Sequence, residues 1–290
     1  MREDPAATLA RCAGGEIPAG IALMQLCLAA DETAAREALA EALRTAEGPA
    51  RERLGAMAAL WRATPGAFGL VRTVAEIADA APGGDGIARW ARTFDAAAAI
   101  SPEASVALYS LGRSDLLAAA TEEVVARLKG LGLLRPESRV LDLGCGIGRF
   151  VTALAPHVAH VTGLDVSARM LAEAERRAIG LGNVRLVQGN GRDLAGLDAT
   201  SFDLALAADS FPYLVEAGPD VVASNLRDIR RVLRPGGRLV ILNYSYRGDE
   251  AADRRELAEL ASRFGFRTLR AGERPFRLWD GVLFDLERLP

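Results

Sequence analysis

The residues Val140-Leu141-Asp142-Leu143-Gly144-Cys145-Gly146-Ile147-Gly148 combine types and spacing that suit ligand chemistry. An apolar run enters a turn with glycine at every second position, and the pattern of Arg149 to Ala155 is that of a helix. Glycines let the backbone turn sharply and let a ligand come close to the main chain. A helix starting there adds unpaired N–H groups and partial positive charge. A nucleotide or a carboxylate is the kind of ligand such a turn accepts. Two acidic residues flank it. Asp142 stands two residues before the first glycine, and Asp165 ends the next apolar run, 21 residues after Gly144. A carboxylate at that second place can accept both hydroxyls of a ribose. The glycine spacing is G-x-G-x-G, not the G-x-G-x-x-G that cradles a dinucleotide pyrophosphate.

These residues need strands to hold them, and the second part of the chain supplies the pattern. From about Ser114, which is expected to cap a helix carrying Leu117, Val124, Leu128 and Leu131, strands and helices alternate. Strands are expected at Arg139–Leu143, His160–Leu164, Val184–Val187, Phe202–Ala207, Arg238–Leu242, Phe266–Leu269 and Leu278–Leu286. Helices are expected at Arg149–Ala155 and Ser167–Ile179, and along the stripes Val222/Leu226/Ile229/Leu233 and Leu257/Leu260/Phe264. Such alternation implies a mostly parallel sheet with helices on both faces, and a ligand beyond the carboxyl ends of the strands. Residues 1 to 112 read as all-helical. Asp31 is expected to cap Glu32–Thr45, Gly48-Pro49 to open a helix, and Thr64-Pro65 and Ser101-Pro102 to place proline at a first helical position. A turn is expected at Pro82-Gly83-Gly84-Asp85-Gly86. The division is therefore a helical cap or interaction domain over 1–112 and an α/β domain over 113–290.

Taken together and in order, the glycine turn with Asp142, the string Gly163-Leu164-Asp165-Val166-Ser167-Ala168-Arg169-Met170-Leu171, the third strand end Gln188-Gly189-Asn190-Gly191-Arg192, the fourth strand with Ala208-Asp209-Ser210-Phe211-Pro212-Tyr213, and Leu233-Arg234-Pro235-Gly236-Gly237 resemble the motifs of class I S-adenosylmethionine-dependent methyltransferases. The resemblance covers roughly residues 114 to 290. It implies a seven-stranded Rossmann-like sheet, S-adenosyl-L-methionine as cofactor and methyl transfer as the activity. It implies cofactor contacts from Asp142, Gly144, Cys145, Gly146, Gly148, Asp165, Val166, Met170, Asn190, Gly191, Arg192, Ala208 and Asp209. Asp165 would take the ribose hydroxyls and Met170 would lie against the adenine. Asn190 stands where the family commonly has aspartate; its amide oxygen, or the backbone of Gly191 and Arg192, would read the adenine edge.

The chemistry of transfer is carried by fewer candidates. Asp209, at the fourth strand end, is placed to orient an acceptor or take its proton, with cofactor binding or a turn cap as the plainer role. Tyr213 follows that strand and Tyr244 the fifth, so both are expected near the pocket mouth. Tyr109 and Arg113 could reach in from the helical region. His157 and His160 flank the wrong end of the second strand for catalysis, and Cys145 would serve through its backbone. Arg227, Arg230, Arg231 and Arg234 read as a solvated helix face.

Composition narrows the class. A net charge of −3 argues against nucleic acid as partner. Three scattered cysteines and two histidines suit a reducing compartment and argue against a metal site. Met1-Arg2-Glu3-Asp4-Pro5 lacks the basic start and apolar core of a signal peptide, and Ile17–Ala30 is too short to span a bilayer. A cytoplasmic enzyme acting on a small-molecule acceptor at O, N or C follows. A protein methyltransferase docking through its helical domain and a non-catalytic cofactor-binding subunit are the alternatives. A homodimer through the alanine-rich helices is a further reading.

Overall fold

In the computed structural model the chain is described over residues 4–79 and 85–290. Three residues of the expected turn, Pro82, Gly83 and Gly84, lie outside that range. The chain divides into a helical unit (Met1–Ala80, Ala96–Glu123, Phe276–Asp280) and a sheet unit (Ala81–Asp95, Val124–Pro275, Gly281–Pro290). This division is finer than one boundary near residue 112.

The helical unit holds α1 (Pro5–Gly14), α2 (Ala19–Ala29), α3 (Glu32–Thr45), α4 (Gly48–Ala63), α5 (Ala67–Asp79), the last third of α6 (Gly86–Ile100), α7 (Pro102–Val106) and the start of α8 (Ser114–Gly130). The apolar stretch too short for a bilayer is α2, the central helix. It contacts α1, α3, α4 and α5, and Ile21, Ala22, Leu23, Leu26 and Cys27 are all buried. A helix apolar all round finds partners on every side in this way. Burial pushes the Cys27 thiol up to about 12, and all three cysteines are free. Among the described residues no helix is long and apolar enough to cross a membrane.

The caps show how local chemistry sets the boundaries. Asp31 Oδ1 accepts from Ala34 N at 2.9 Å, and Ser101 Oγ accepts from Ala104 N at 3.2 Å ahead of Pro102. At Thr64-Pro65 the expectation fails: α5 begins only at Ala67, and Pro65 stands in the turn before it. Ser114 is itself the first residue of α8, which stops at Gly130, short of Leu131. Asp31→Ala should cost about 1 kcal/mol, the usual value of an N-cap, read as a lower urea midpoint with an unchanged slope.

The sheet unit contains seven strands in the order β3-β2-β1-β4-β5-β7-β6. They are β1 (Arg139–Leu143), β2 (His160–Asp165), β3 (Val184–Gln188), β4 (Phe202–Ala208), β5 (Leu233–Leu242), β6 (Phe266–Glu273) and β7 (Leu283–Arg288). The first five are parallel, and β7 runs antiparallel to both neighbours. The interior strands β1, β2 and β4 are buried almost throughout, as expected for a parallel sheet covered on both faces. Helices α9 (Arg149–Leu154), α10 (Ala168–Arg177), α11 (Phe211–Ala217), α12 (Pro219–Val232) and α13 (Glu250–Arg263) complete the unit. The chain winds outward from β1 to β3, then crosses back to β4. The switch therefore falls between β1 and β4, with Asp142, Asp165 and Ala208 at or near the carboxyl ends of their strands.

Two expectations at the far edge need correction. Leu233 opens β5 and pairs with Phe202, so Val232 ends the α12 stripe. The last strand begins at Leu283, not Leu278, because Phe276–Asp280 belongs to the helical unit. Trp279 there stacks on Tyr109, with ring centroids 6.4 Å apart, and Glu123 accepts the N–H groups of Arg277 and Leu278.

Candidate active site

The glycine turn is pinned to the end of β2. Gly144 N and Cys145 N both donate to Leu164 O, at 2.7 and 3.0 Å, and Gly146 N donates to Asp165 Oδ2 at 2.8 Å. The other Asp165 oxygen accepts Ser167 N at 2.9 Å. Asp165 is thus a brace for the turn as well as the expected ribose acceptor, and each oxygen keeps lone-pair capacity for a second donor. Burial raises its pKa, while the N–H groups of Ser167 and Gly146 act the other way. Gly148, at φ +77°, leads into α9. Cys145 is buried and its thiol is held well above its ordinary pKa by burial, which keeps it inert.

Asp142 is strained electrostatically. It is 1% exposed, and its Oδ2 has no hydrogen-bond partner. Burial lifts its carboxyl to about 7; the Arg149 guanidinium opposes that, and Asp165 adds to it. Arg149, itself buried, also lies 3.8 Å from Asp209 Oδ2. Sequence reasoning passed over this arginine, although it follows directly on the last glycine of the turn.

The loop after β3 is built differently from expectation. Asn190 Oδ1 accepts both Arg192 N and Asp193 N, at 2.7 and 3.0 Å, and its Nδ2 donates to Asp193 Oδ1. The amide oxygen expected to face an adenine therefore folds the loop in this arrangement. The missed residue is Asn225 on α12, 1% exposed, whose Nδ2 reaches Gly191 O, Arg192 O and Val221 O. Asn225→Ala should destabilise the protein by about 2 kcal/mol, since it removes a buried amide that bonds three carbonyls, with a matching fall in melting temperature. Arg231, expected on a solvated face, donates to Leu194 O and Leu197 O and ties the same loop down. Met170 is buried at 1% exposure, and Val166 is half-buried beside Gly191.

At the tips of β4 and β5 stands a constrained pair. Asp209 has φ +56° and Asn243 φ +65°. Side chains other than glycine hold such angles only where the surroundings impose them, often at functional sites. Asn243 Nδ2 donates to Asp209 Oδ1 at 2.7 Å, and the Tyr246 hydroxyl donates to the same oxygen at 2.7 Å. Tyr213 lies next to them, its ring edge-on to Tyr246 at 5.9 Å. Burial and nearby Asp209 push the Tyr213 phenol above its usual range. Tyr244 departs from the expected pocket mouth. It is fully buried in the core between Phe211 and Phe284, and its hydroxyl donates to Glu256 at 2.8 Å. Tyr109 packs within the helical unit, and Arg113 there bonds Asp115 and Thr64.

The first two thirds of α6 is the largest element missed. Residues up to Asp95 belong to the sheet unit and lie over these same loops. Asp95 Oδ1 accepts Ser167 Oγ and Arg169 N, Arg89 pairs with Glu216, and Asp85 pairs with Arg192 at 2.7 Å. Trp90 and Phe94 pack on Tyr213, with centroids at 4.6 and 5.0 Å, and Ile87 sits against Gly191. The signal was present as the stripe Ile87, Trp90, Phe94 along one helical face.

Comparison with known proteins gives these positions a context. Residues 141–241 match the methyltransferase domain family. The chain is 36% identical over 138 residues to a demethylmenaquinone methyltransferase of Clavibacter sepedonicus, across 48% of this chain and 51% of that protein. It is 35% identical over 134 residues to the O-methyltransferase rstn1 of Aspergillus nomiae, across 44% of this chain and 56% of that protein. The chain thus spans about half the length of the curated relatives it matches. Its fold is similar to phosphoethanolamine N-methyltransferase 1 of Haemonchus contortus, solved with phosphoethanolamine and S-adenosylhomocysteine. That likeness has a TM-score of 0.58 at 19% identity, over 71% of this chain and 49% of that one.

Proposed function

This chain carries a class I S-adenosylmethionine-dependent methyltransferase domain, and from that premise we propose that it moves a methyl group to O, N or C of a small-molecule acceptor. The observation that carries the reading is Asp142 Oδ2, a buried carboxylate oxygen without a partner beside a glycine turn. An unpaired buried acceptor is costly unless a donor arrives, and the ammonium of S-adenosylmethionine is such a donor. The residues fit the group elsewhere too. Asp165 has acceptor capacity left for the ribose hydroxyls.

When bound, the cofactor supplies a methyl group already activated by positive sulfur. The protein's own work is then alignment and exclusion of water. Asp165 orients the nucleoside end by holding both turn and ribose. Asp142 fixes the amino acid end. Asp209, positioned by Asn243, orients the acceptor atom and takes its proton where one must be lost. Trp90, Phe94 and Tyr213 wall the space near Asp209 and keep it dry. The acceptor's small size is supported by the relatives, whose names refer to demethylmenaquinone and O-methylation.

Isothermal titration with S-adenosylhomocysteine, with NAD as control, tests the reading. One-to-one binding of the first and no heat from the second is expected. Silence with both, or binding of NAD alone, overturns it.

A further inference from the structure

We propose that the acceptor is a phenol-type ring whose hydroxyl docks on Asp209, in the place that the Tyr246 phenol holds in the free protein. The inference rests on the methyl-transfer reading and adds the chemical class of acceptor to it.

Three observations converge. First, a phenol is already accommodated. The Tyr246 hydroxyl donates to Asp209 Oδ1 at 2.7 Å, and its ring meets Tyr213 edge-on, beside Trp90 and Phe94. Edge-to-face packing of this kind suits another planar ring as well as it suits tyrosine. Second, Tyr246 stands on exposed, irregular chain. It is 58% exposed and lies between β5 and α13 in a stretch without regular structure, two residues before Gly248 at φ +77°. Tyr244, two residues earlier, is fully buried. Displacing Tyr246 gives up its hydroxyl bonds to Asp209 and Tyr213 and one edge contact, which an incoming phenol in the same place restores. Third, the carboxylate is set without Tyr246. Asn243 donates to Asp209 and is itself locked to Val282 by two bonds, Asn243 N to Val282 O at 2.8 Å and Val282 N to Asn243 Oδ1 at 2.9 Å.

A carboxylate among aromatic rings also suits a cationic amine. Arg149 decides against that here. Its guanidinium lies 3.8 Å from Asp209 Oδ2, so the site already has its positive charge, and a second cation would be repelled. A neutral hydroxyl donor meets no such cost.

The test titrates 4-methylphenol and catechol into the full chain saturated with S-adenosylhomocysteine, with cyclohexanol and tetramethylammonium as controls. Wild type, Tyr246→Ala and Asp209→Ala are compared, and a cooperative urea unfolding transition shows that each variant is folded. Both phenols should bind the wild type, and cyclohexanol and tetramethylammonium should not. Tyr246→Ala should bind phenols about tenfold more tightly, because the occupant that competes for the site is gone. Asp209→Ala should weaken them by about tenfold. No phenol binding to Tyr246→Ala, weaker binding in that variant, or preference for tetramethylammonium overturns the inference. If S-adenosylhomocysteine itself fails to bind wild type, the methyl-transfer reading falls first, and the two failures are thereby told apart.

Discussion

Replacing Gly144 by alanine is expected to abolish S-adenosylhomocysteine binding and to cost about 3 kcal/mol of stability. Two effects add. Gly144 has φ +73°, and a side chain in the left-handed region costs about 1–2 kcal/mol. A Cβ there would also lie 2.5 Å from the Ser210 Cβ, far inside contact distance. Forcing atoms into a packed site typically costs about 1–3 kcal/mol more. Relief by moving Ser210 would shift the tip of β4, where Asp209 is the preceding residue. Relief by moving the turn would break the bonds from Gly144 N and Cys145 N to Leu164 O. Either way the ligand-facing backbone is lost. Gly55, inside α4, makes the control, since no atom lies within 4 Å of the place a methyl would take there. Gly55→Ala should stabilise by up to about 1 kcal/mol, because it improves helix propensity and touches nothing. Urea unfolding of both variants, with titration of S-adenosylhomocysteine, separates the two outcomes. A Gly144→Ala protein that binds normally would mean that the turn is not part of the site.

What could be read from sequence was what depends on short spacing. The apolar runs that become β1 and β2, the glycine turn between β1 and α9, and the carboxylate at the end of β2 all lie within one stretch of chain. Their relation follows from period and turn chemistry alone. The cap at Asp31 and the helix start at Ser101-Pro102 were legible for the same reason. The site's outer wall was not. Trp90 and Phe94 meet Tyr213 across more than a hundred residues of sequence, and no local rule links them. Their helix crosses from one compact unit to the other, so texture alone assigned it wholly to the helical region.

Tyr244 and Tyr246 show a subtler limit. Residues two apart in extended backbone share a face, but here the chain has left β5 by Asn243, whose φ of +65° breaks the alternation. One tyrosine turns into the core and the other onto Asp209. The Asn190 amide is turned into its own loop for a local reason. Asp193, three residues on, and the N–H groups of the loop partner its amide, as asparagine in turns commonly finds.

Asp142 carries the second large expectation, and it joins stability to binding. Its carboxyl stands at about 7 in the folded protein, against an ordinary value of 3.8. The fold therefore holds this proton more tightly than the unfolded chain does. Asp142's contribution to stability is fully present below about pH 4 and is lost as pH rises to 7. That difference corresponds to about 4 kcal/mol as an upper limit. Asp142→Asn keeps the shape and removes the titration, so its stability should fall much less across pH 4 to 7, as read by urea unfolding at each pH. A ligand ammonium at Asp142 Oδ2 would favour the charged carboxylate and expel the proton. Titration of S-adenosylhomocysteine at pH 6, in two buffers of different ionisation enthalpy, should show release of close to one proton by wild type. At pH 8.5, where Asp142 is already charged, release from this group should vanish. The asparagine variant should release none from this position at either pH and should bind about 10- to 100-fold more weakly, the value of a charged hydrogen bond. Equal proton release by wild type and variant would place the ammonium elsewhere, and would leave the unpaired oxygen of Asp142 without a ligand to explain it.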